Sequence, residues 1–307
     1  MKPIRIAVIG IGKIARDQHL PAIADDPAFD LAATVSRHGG IDAVPNFASI
    51  DALVDSDIAV DAVSLCTPPE GRHALAMAAI QGGLHVMLEK PPATTLGDAE
   101  DLAMRARDAG VTLYASWHSR AAAAVTRARD WLAGRSVRAV RIDWLEDIRT
   151  WHPGQDWILA AGGFGVFDPG INALSILTEI LPGRVRIARS VLDVPSNRAA
   201  PIAASLTGAC GDATFDARFD FLKQGDQHWT IAIDTDGGTL ALADGGARWT
   251  IDGIARAVPD GREYPRLYAR FAERIAGRSS DVDLSPLRIV ADAFLKAEYR
   301  SREPFEF

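Results

Sequence analysis

Between Ile4 and Ala115, five short apolar runs alternate with helical patterns, and that alternation leaves few ways to fold. The runs cover residues 4–10, 31–35, 62–66, 84–88 and 113–115, with helical spacing at 13–24, 50–54, 72–80 and 98–108. Strands that alternate with helices over short connections cannot pair as hairpins. They build a parallel, doubly wound sheet. Thr95, three residues before Asp98, adds a helix start signal to the last of these patterns.

The connection after the first run is Gly10-Ile11-Gly12-Lys13-Ile14-Ala15. Glycines at this spacing, between a strand and a helix, form a dinucleotide-binding fingerprint. Gly10 allows the tight turn, Gly12 lets the backbone approach a pyrophosphate, and Ala15 lets the helix pack on the strand. Lys13 and Ile14 belong to the same cofactor-facing turn. After the second run stands Ser36-Arg37-His38, where NAD-selective proteins place an acidic residue. A serine and an arginine suit a 2′-phosphate, so NADP is the expected cofactor, with NAD tolerated. The plainer reading is a polar loop.

Two further strand ends fall at the same edge. In Cys66-Thr67-Pro68-Pro69 the first three residues are expected to line the nicotinamide side, although two prolines also simply end a strand. The other end, Met87-Leu88-Glu89-Lys90-Pro91-Pro92, puts a cation where open parallel sheets bind ligands. Only five of the 33 basic residues are lysines (Lys2, Lys13, Lys90, Lys223 and Lys296), so a lysine here invites a reason. A compact ammonium donates to a substrate oxygen and gives up its proton more readily than guanidinium does. Lys90 is therefore the candidate reacting residue, and Glu89 beside it is expected to position the lysine or pack at the strand end, bordering the cofactor.

Past Trp117 the pattern changes. An alanine-rich helical stretch at 121–133 precedes a half-buried strand at 137–145. Residues 168–180 read as a helix, with Pro169 in its first turn and Pro182 beyond its end. Strand-like runs follow at 185–191, 202–206, 213–221, 229–235, 239–243 and 248–251, with hairpin signals at Gly237-Gly238 and Gly245-Gly246. Helical patterns at 264–276 and 286–300 close the chain. The fold class is α/β: a doubly wound parallel domain over 1–118, then an α+β domain over 119–307 with a mostly antiparallel open sheet. The C-terminal helix is free to pack back on the first domain. The exposed sheet face either carries an interface between copies of the chain, giving a homo-oligomer, or is solvated.

A formal charge of −7 argues against nucleic acid or anionic membrane as partners. Cys66 and Cys210 make no disulfide framework and fit no metal spacing, which points to a reducing, cytoplasmic setting. The N-terminal apolar run is short, broken by glycine and followed by charge, so it reads as a strand rather than a signal peptide.

Both motifs and the layout resemble the Gfo/Idh/MocA oxidoreductase family. The likeness extends through Gly10 to Pro21, Trp117-His118-Ser119-Arg120, Trp151-His152-Pro153-Gly154-Gln155 and Gly165 to Leu174. Within the family it is strongest to bacterial enzymes that oxidise L-arabinose and D-galactose at C1. That resemblance implies catalytic roles for Lys90, Asp168 and Asn172, and metal-free chemistry on a small sugar. Many relatives carry histidine where Asn172 stands, and an asparagine cannot act as a general base. Lys90 and Asp168 both remain candidates for that role. Asp168 is also well placed to cap a helix. His118, Glu146, Trp151, His152 and Trp229, with Lys90, Asp168 and Asn172, form the expected sugar-binding set: an indole packs on ring C–H faces while carboxylate and imidazole pair with hydroxyls. The plainer reading makes the tryptophans core residues. Action on a cyclitol or secondary sugar alcohol, or a non-catalytic NADP sensor, are the alternatives.

Overall fold

In a computed structural model of the chain, residues 2–181, 183–259 and 261–307 are described. The first stretch holds β1 (Ile4–Ile9), α1 (Leu20–Asp25), β2 (Phe29–Val35), β3 (Asn46–Phe47) and α2 (Ile50–Val54). It continues with β4 (Ala62–Leu65), α3 (Arg72–Gln81), β5 (His85–Glu89), α4 (Leu96–Ala109) and β6 (Leu113–Ser116). Next come α5 (Val125–Leu132), β7 (Val137–Leu145), α6 (Ile148–Trp151) and α7 (Phe167–Ile180). Seven strands follow: β8 (Val185–Pro195), β9 (Ala203–Cys210), β10 (Ala213–Asp220), β11 (His228–Thr235), β12 (Gly238–Ala243), β13 (Arg248–Ile251) and β14 (Ile254–Ala255). The chain ends with α8 (Glu263–Ala276), α9 (Ser285–Leu295) and β15 (Ala297–Arg302).

Two compact units result: Met1–His118 with Arg262–Leu284, and Ser119–Gly261 with Ser285–Phe307. The second stretch of the chain is thus not one continuous unit, because α8 and its flanks belong with the N-terminal residues. The reason is in α8 itself. Tyr264, Leu267, Tyr268 and Phe271 repeat at helical spacing, and all four are buried. Tyr268 meets Phe29 edge-on at 5.2 Å, and Phe271 stacks with Tyr114 at 6.1 Å.

The first unit contains a six-stranded sheet in the order β3-β2-β1-β4-β5-β6, with every pair parallel. Its strands are apolar on both faces, as a sheet covered on both sides requires; Ala7, Val63, Val86 and Leu88 are wholly buried. The chain order reverses at β1, which places the ends of β1 and β4 at the switch point where such sheets bind ligands. The expected regular helix from Lys13 is interrupted. Ala15–His19 forms a π-turn, closed by the Leu20 amide bonding back to Ala15, and His19 at its end is fully buried.

The second unit has a nine-stranded sheet in the order β14-β13-β12-β11-β7-β10-β9-β8-β15. It is parallel at β7–β10 and β8–β15 and antiparallel elsewhere. Phe215, Ala217 and Phe219 alternate with exposed Asp216 and Arg218, so β10 has one dry face and one wet face. α7 packs on β7 and β11 and is flanked by α5 and α9.

Three expectations need correction. The helix expected at 121–133 begins only at Val125, because the Ala124 amide bonds to the Gly246 carbonyl. The helix expected to run to Arg300 ends at Leu295, and Ala297–Arg302 pairs along the edge of β8. Nearly every β15 side chain is exposed, so backbone pairing with a distant strand overrides the local helical pattern there. Asp168 is not a helix cap: α7 starts one residue earlier, at Phe167, and Val166 holds the cap position without a side-chain hydrogen bond. The stop expected from Pro182 lies outside the described residues.

Candidate functional site

In the first unit the sequence-predicted residues gather at the C-terminal ends of β1, β2, β4 and β5. Gly10 has φ +89°. A Cβ there would meet Thr67 Cγ2 at 2.8 Å, so this turn tolerates glycine alone. At Gly12, by contrast, an added Cβ would point into open space. Thr67 Oγ1 is buried and makes no hydrogen bond among the described residues. A shallow backbone cradle with an orphaned hydroxyl at its wall fits a bound dinucleotide. Cys66 is a buried thiol, whereas Pro68 is exposed at the same strand end.

Ser36 is held by its neighbours: its amide donates to Phe47 O at 3.0 Å, and its hydroxyl accepts from the His38 amide at 3.2 Å. Arg37 and His38 are exposed. No hydrogen bond or ion pair engages the Arg37 guanidinium among the described residues, which leaves all its donors for an anion. Lys13 is mostly solvated and pairs with Asp17. Ile14 is one of the few exposed large apolar side chains.

Lys90 follows β5 and is half-buried, and a cis peptide joins it to Pro91. Sequence reasoning missed what holds it. The buried Arg72 at the start of α3 donates to the carbonyls of Glu89, Pro91 and Thr67, bracing the ends of β4 and β5. The Glu89 side chain accepts the Lys90 amide through Oε2 at 2.9 Å. Its Oε1 accepts from Tyr264 at 2.6 Å and lies 3.0 Å from His19 Nε2. Burial opposes a charge on Glu89, yet the His19 hydrogen bond and charge, with help from His118 and Tyr264, hold the carboxyl at about 2.

Burial also works against a charged His19. Cys66, Tyr268 and the hydrogen bond to Glu89 outweigh it, and the ring holds its proton well above the usual histidine range. His118 sits 2.6 Å from Glu263 Oε2 and stacks on Tyr264 at 5.7 Å. Burial lowers its proton affinity, but Glu263 and Glu89 raise it more, against opposition from Lys90. His118 therefore lies within electrostatic reach of both Glu89 and Lys90. The sequence did carry a signal for these partners: a histidine inside the helical pattern at 13–24, and tyrosines four apart on α8.

The other predicted residues lie in the second unit: Glu146, Trp151, His152 and Trp229 come together where β7 ends, and Asp168 and Asn172 stand on α7. Glu146 is buried, and its oxygens lie 3.1 Å from His152 Nε2 and 2.8 Å from Trp229 Nε1, which donates. A carboxylate can only accept, so His152 Nε2 is the donor in this contact. Trp229 stacks with Trp144 at 5.9 Å, and Trp151 tilts against it at 4.6 Å with 43% of its surface exposed. An indole face beside a fixed carboxylate–imidazole pair can pack on a sugar ring and order its hydroxyls. Asp168 is buried in the first turn of α7. One turn on, Asn172 is half-buried, and its side-chain amide forms no hydrogen bond among the described residues. Ahead of them, Gly165 has φ +56°, and a Cβ there would collide with Pro201 O. Among the described residues no three His, Cys, Asp or Glu side chains are grouped to hold a metal, and no helix is long and apolar enough to cross a membrane.

The model of an oxidoreductase family with an NAD-binding Rossmann fold matches residues 4–116. The chain is 45% identical to a galactose 1-dehydrogenase of Pseudomonas fluorescens over 99% of both sequences. It superposes on the crystal structure of a D-galactose-1-dehydrogenase from Rhizobium etli with a TM-score of 0.95 and 49% identity, covering 100% of this chain and 99% of that one. A 3-ketoreductase from Actinomadura kijaniata, solved with NADP and TDP-benzene, shares the fold at 20% identity, with a TM-score of 0.84 over 98% and 99% of the two chains. A cofactor cradle, a lysine after β5 and a likeness that runs the full length have one reading: the chain is an NAD(P)-binding oxidoreductase and belongs to the Gfo/Idh/MocA family.

Proposed function

We propose that the chain is an aldose 1-dehydrogenase that oxidises D-galactose and L-arabinose, in pyranose form, at C1 to the aldonolactone, with NADP as the preferred acceptor. The observation that carries this reading is the Glu146–His152–Trp229 group. It lies in the part of the chain beyond the cofactor fingerprint, and the likeness to galactose 1-dehydrogenases extends over that part as well.

A bound nicotinamide would serve as the acceptor of the hydride lost from C1. The chain must remove the C1 hydroxyl proton and stabilise the charge that develops on oxygen. An anomeric hydroxyl is more acidic than an ordinary alcohol, so a modest base is enough. Lys90 donates to the developing alkoxide or relays its proton. Asp168 accepts or orients that proton, and the Asn172 amide holds the hydroxyl in line. His152 Nδ1 pairs with a ring hydroxyl, Trp151 and Trp229 cover the C–H face, and His118 contributes to sugar recognition. Ser36 and Arg37 take the 2′-phosphate, and the open turn at Gly12 takes the pyrophosphate.

L-Arabinose and D-galactose share configuration at C2 to C4 and differ by the C5 hydroxymethyl group. One missing group in a pocket costs roughly 1–3 kcal/mol, so both sugars are accepted. Initial rates of nicotinamide reduction test this, with D-galactose, L-arabinose, D-glucose, D-xylose and myo-inositol and with each cofactor. Turnover of galactose and arabinose, faster with NADP, is expected. Turnover of inositol alone, or of nothing, overturns the reading.

A further inference from the structure

A continuous line of buried hydrogen bonds runs from β4 to the backbone of Lys90. Ser64 Oγ lies 2.9 Å from Tyr268 OH, which lies 2.7 Å from His19 Nδ1. His19 Nε2 reaches Glu89 Oε1 at 3.0 Å, Tyr264 OH donates to the same oxygen, and Glu89 Oε2 accepts the Lys90 amide. Ser64, His19 and Tyr268 are wholly buried, and Glu89 and Tyr264 are 4% exposed. A buried carboxylate costs several kcal/mol unless its lone pairs are used, and an apolar side chain could close the end of β5 without that cost. Retaining an acid there makes sense where its charge and its geometry serve a neighbour.

We propose that His19 and Tyr264 are positioning residues that fix the Glu89 carboxylate beneath Lys90 and, through it, set the backbone placement and electrostatic surroundings of the reacting amine. The proposal rests on the role given to Lys90 above. Glu89 is bound from three directions: the π-turn supplies His19, α8 supplies Tyr264, and the turn just after β5 supplies the Lys90 amide. The charged or titratable groups facing this cluster are Cys66 after β4, Arg72 from α3, Lys90, His118, and Glu263, Tyr264 and Tyr268 from α8. His19 and Glu89 carry opposite charges, so removing either leaves the other uncompensated beside Lys90.

The test uses full-length Glu89→Gln, His19→Gln and Tyr264→Phe proteins. Lys90 acylation by an amine-directed reagent is followed by mass spectrometry across pH, without sugar or cofactor. Only the neutral amine reacts, so the profile reports the charge around it. Glu89→Gln is expected to move the onset of labelling to lower pH by about one unit, and His19→Gln is expected to move it to higher pH. Tyr264→Phe is expected to lower kcat roughly tenfold while the cofactor KM stays within about twofold. Superimposable labelling profiles in all three, with only lower melting temperatures, would overturn the proposal. If His19→Gln does not fold, Tyr264→Phe decides, because it removes one hydroxyl from a packed ring; wild-type kcat there counts against the network. Labelling needs no substrate, so opposite shifts with no turnover of any aldose would uphold the network and reject the proposed reaction.

Discussion

Arg72 donates to the backbone carbonyl of Glu89 from a side chain that is 2% exposed. The same guanidinium bonds Pro91 O and Thr67 O, so one buried cation ties the ends of β4 and β5 together beside Lys90. Arg72→Met would strand these carbonyls in an apolar setting. It should lower unfolding stability by about 3 kcal/mol, readable in urea titrations. A variant as stable as the wild type would show that the brace is dispensable.

Lys90→Ala separates chemistry from binding. Turnover should fall roughly a hundred- to a thousandfold, the range for losing one donor to a developing oxyanion. The cofactor dissociation constant, from quenching of intrinsic fluorescence, should hardly change. Near-normal turnover would remove Lys90 from the reaction.

Arg37→Ala tests the 2′-phosphate assignment. The exposed guanidinium has no partner to lose among the described residues, so folding should be untouched. NADP affinity should fall roughly tenfold or more while NAD affinity holds, because only the phosphate contact is removed. Equal losses for both cofactors would point instead to a general effect on the loop.

Glu146→Gln removes the charge from the acceptor of the His152 and Trp229 hydrogen bonds while keeping the size of the side chain. The sugar KM should rise about tenfold with the cofactor KM unchanged. Steady-state kinetics on galactose would check it, and a change in the cofactor KM alone would contradict the assignment.

Glu89 makes a pH prediction whose sign is fixed. Its carboxyl is held at about 2 against an ordinary 4.5, so its stabilisation is complete above about 4.5 and disappears as pH falls through about 2. That displacement corresponds to about 3 kcal/mol at neutral pH. His19 works in the other direction: its proton affinity is raised, so its contribution is full below the ordinary histidine range and is lost as pH rises through the folded value. Urea unfolding of wild type and Glu89→Gln at pH 7, 4 and 3 should show a gap that narrows toward acid. A constant gap would contradict the account.

What was legible in the sequence was local. Gly10, Gly12 and Lys90 announce themselves because turn geometry and strand ends depend on a few neighbouring residues. The network around Glu89 does not, since its partners stand 70 residues earlier at His19 and 175 later at Tyr264. The misread end of α9 has a related cause: β15 is a strand only because β8 lies beside it. Asp168 looked like a cap because Asp-Pro so often begins a helix, but here Gly165 turns the chain early and α7 is under way at Phe167. Trp151 and Trp229 were grouped through the family resemblance, but Trp144 gave no sign of joining them until the β7–β11 register set it opposite Trp229.

The reaction at C1 is tested most directly with D-galactose carrying deuterium at that carbon. The account predicts transfer of the label to the nicotinamide, a slowed rate and galactonolactone as the first product. Reduced cofactor without deuterium, with the label kept in the sugar, would place oxidation at another carbon and contradict the account.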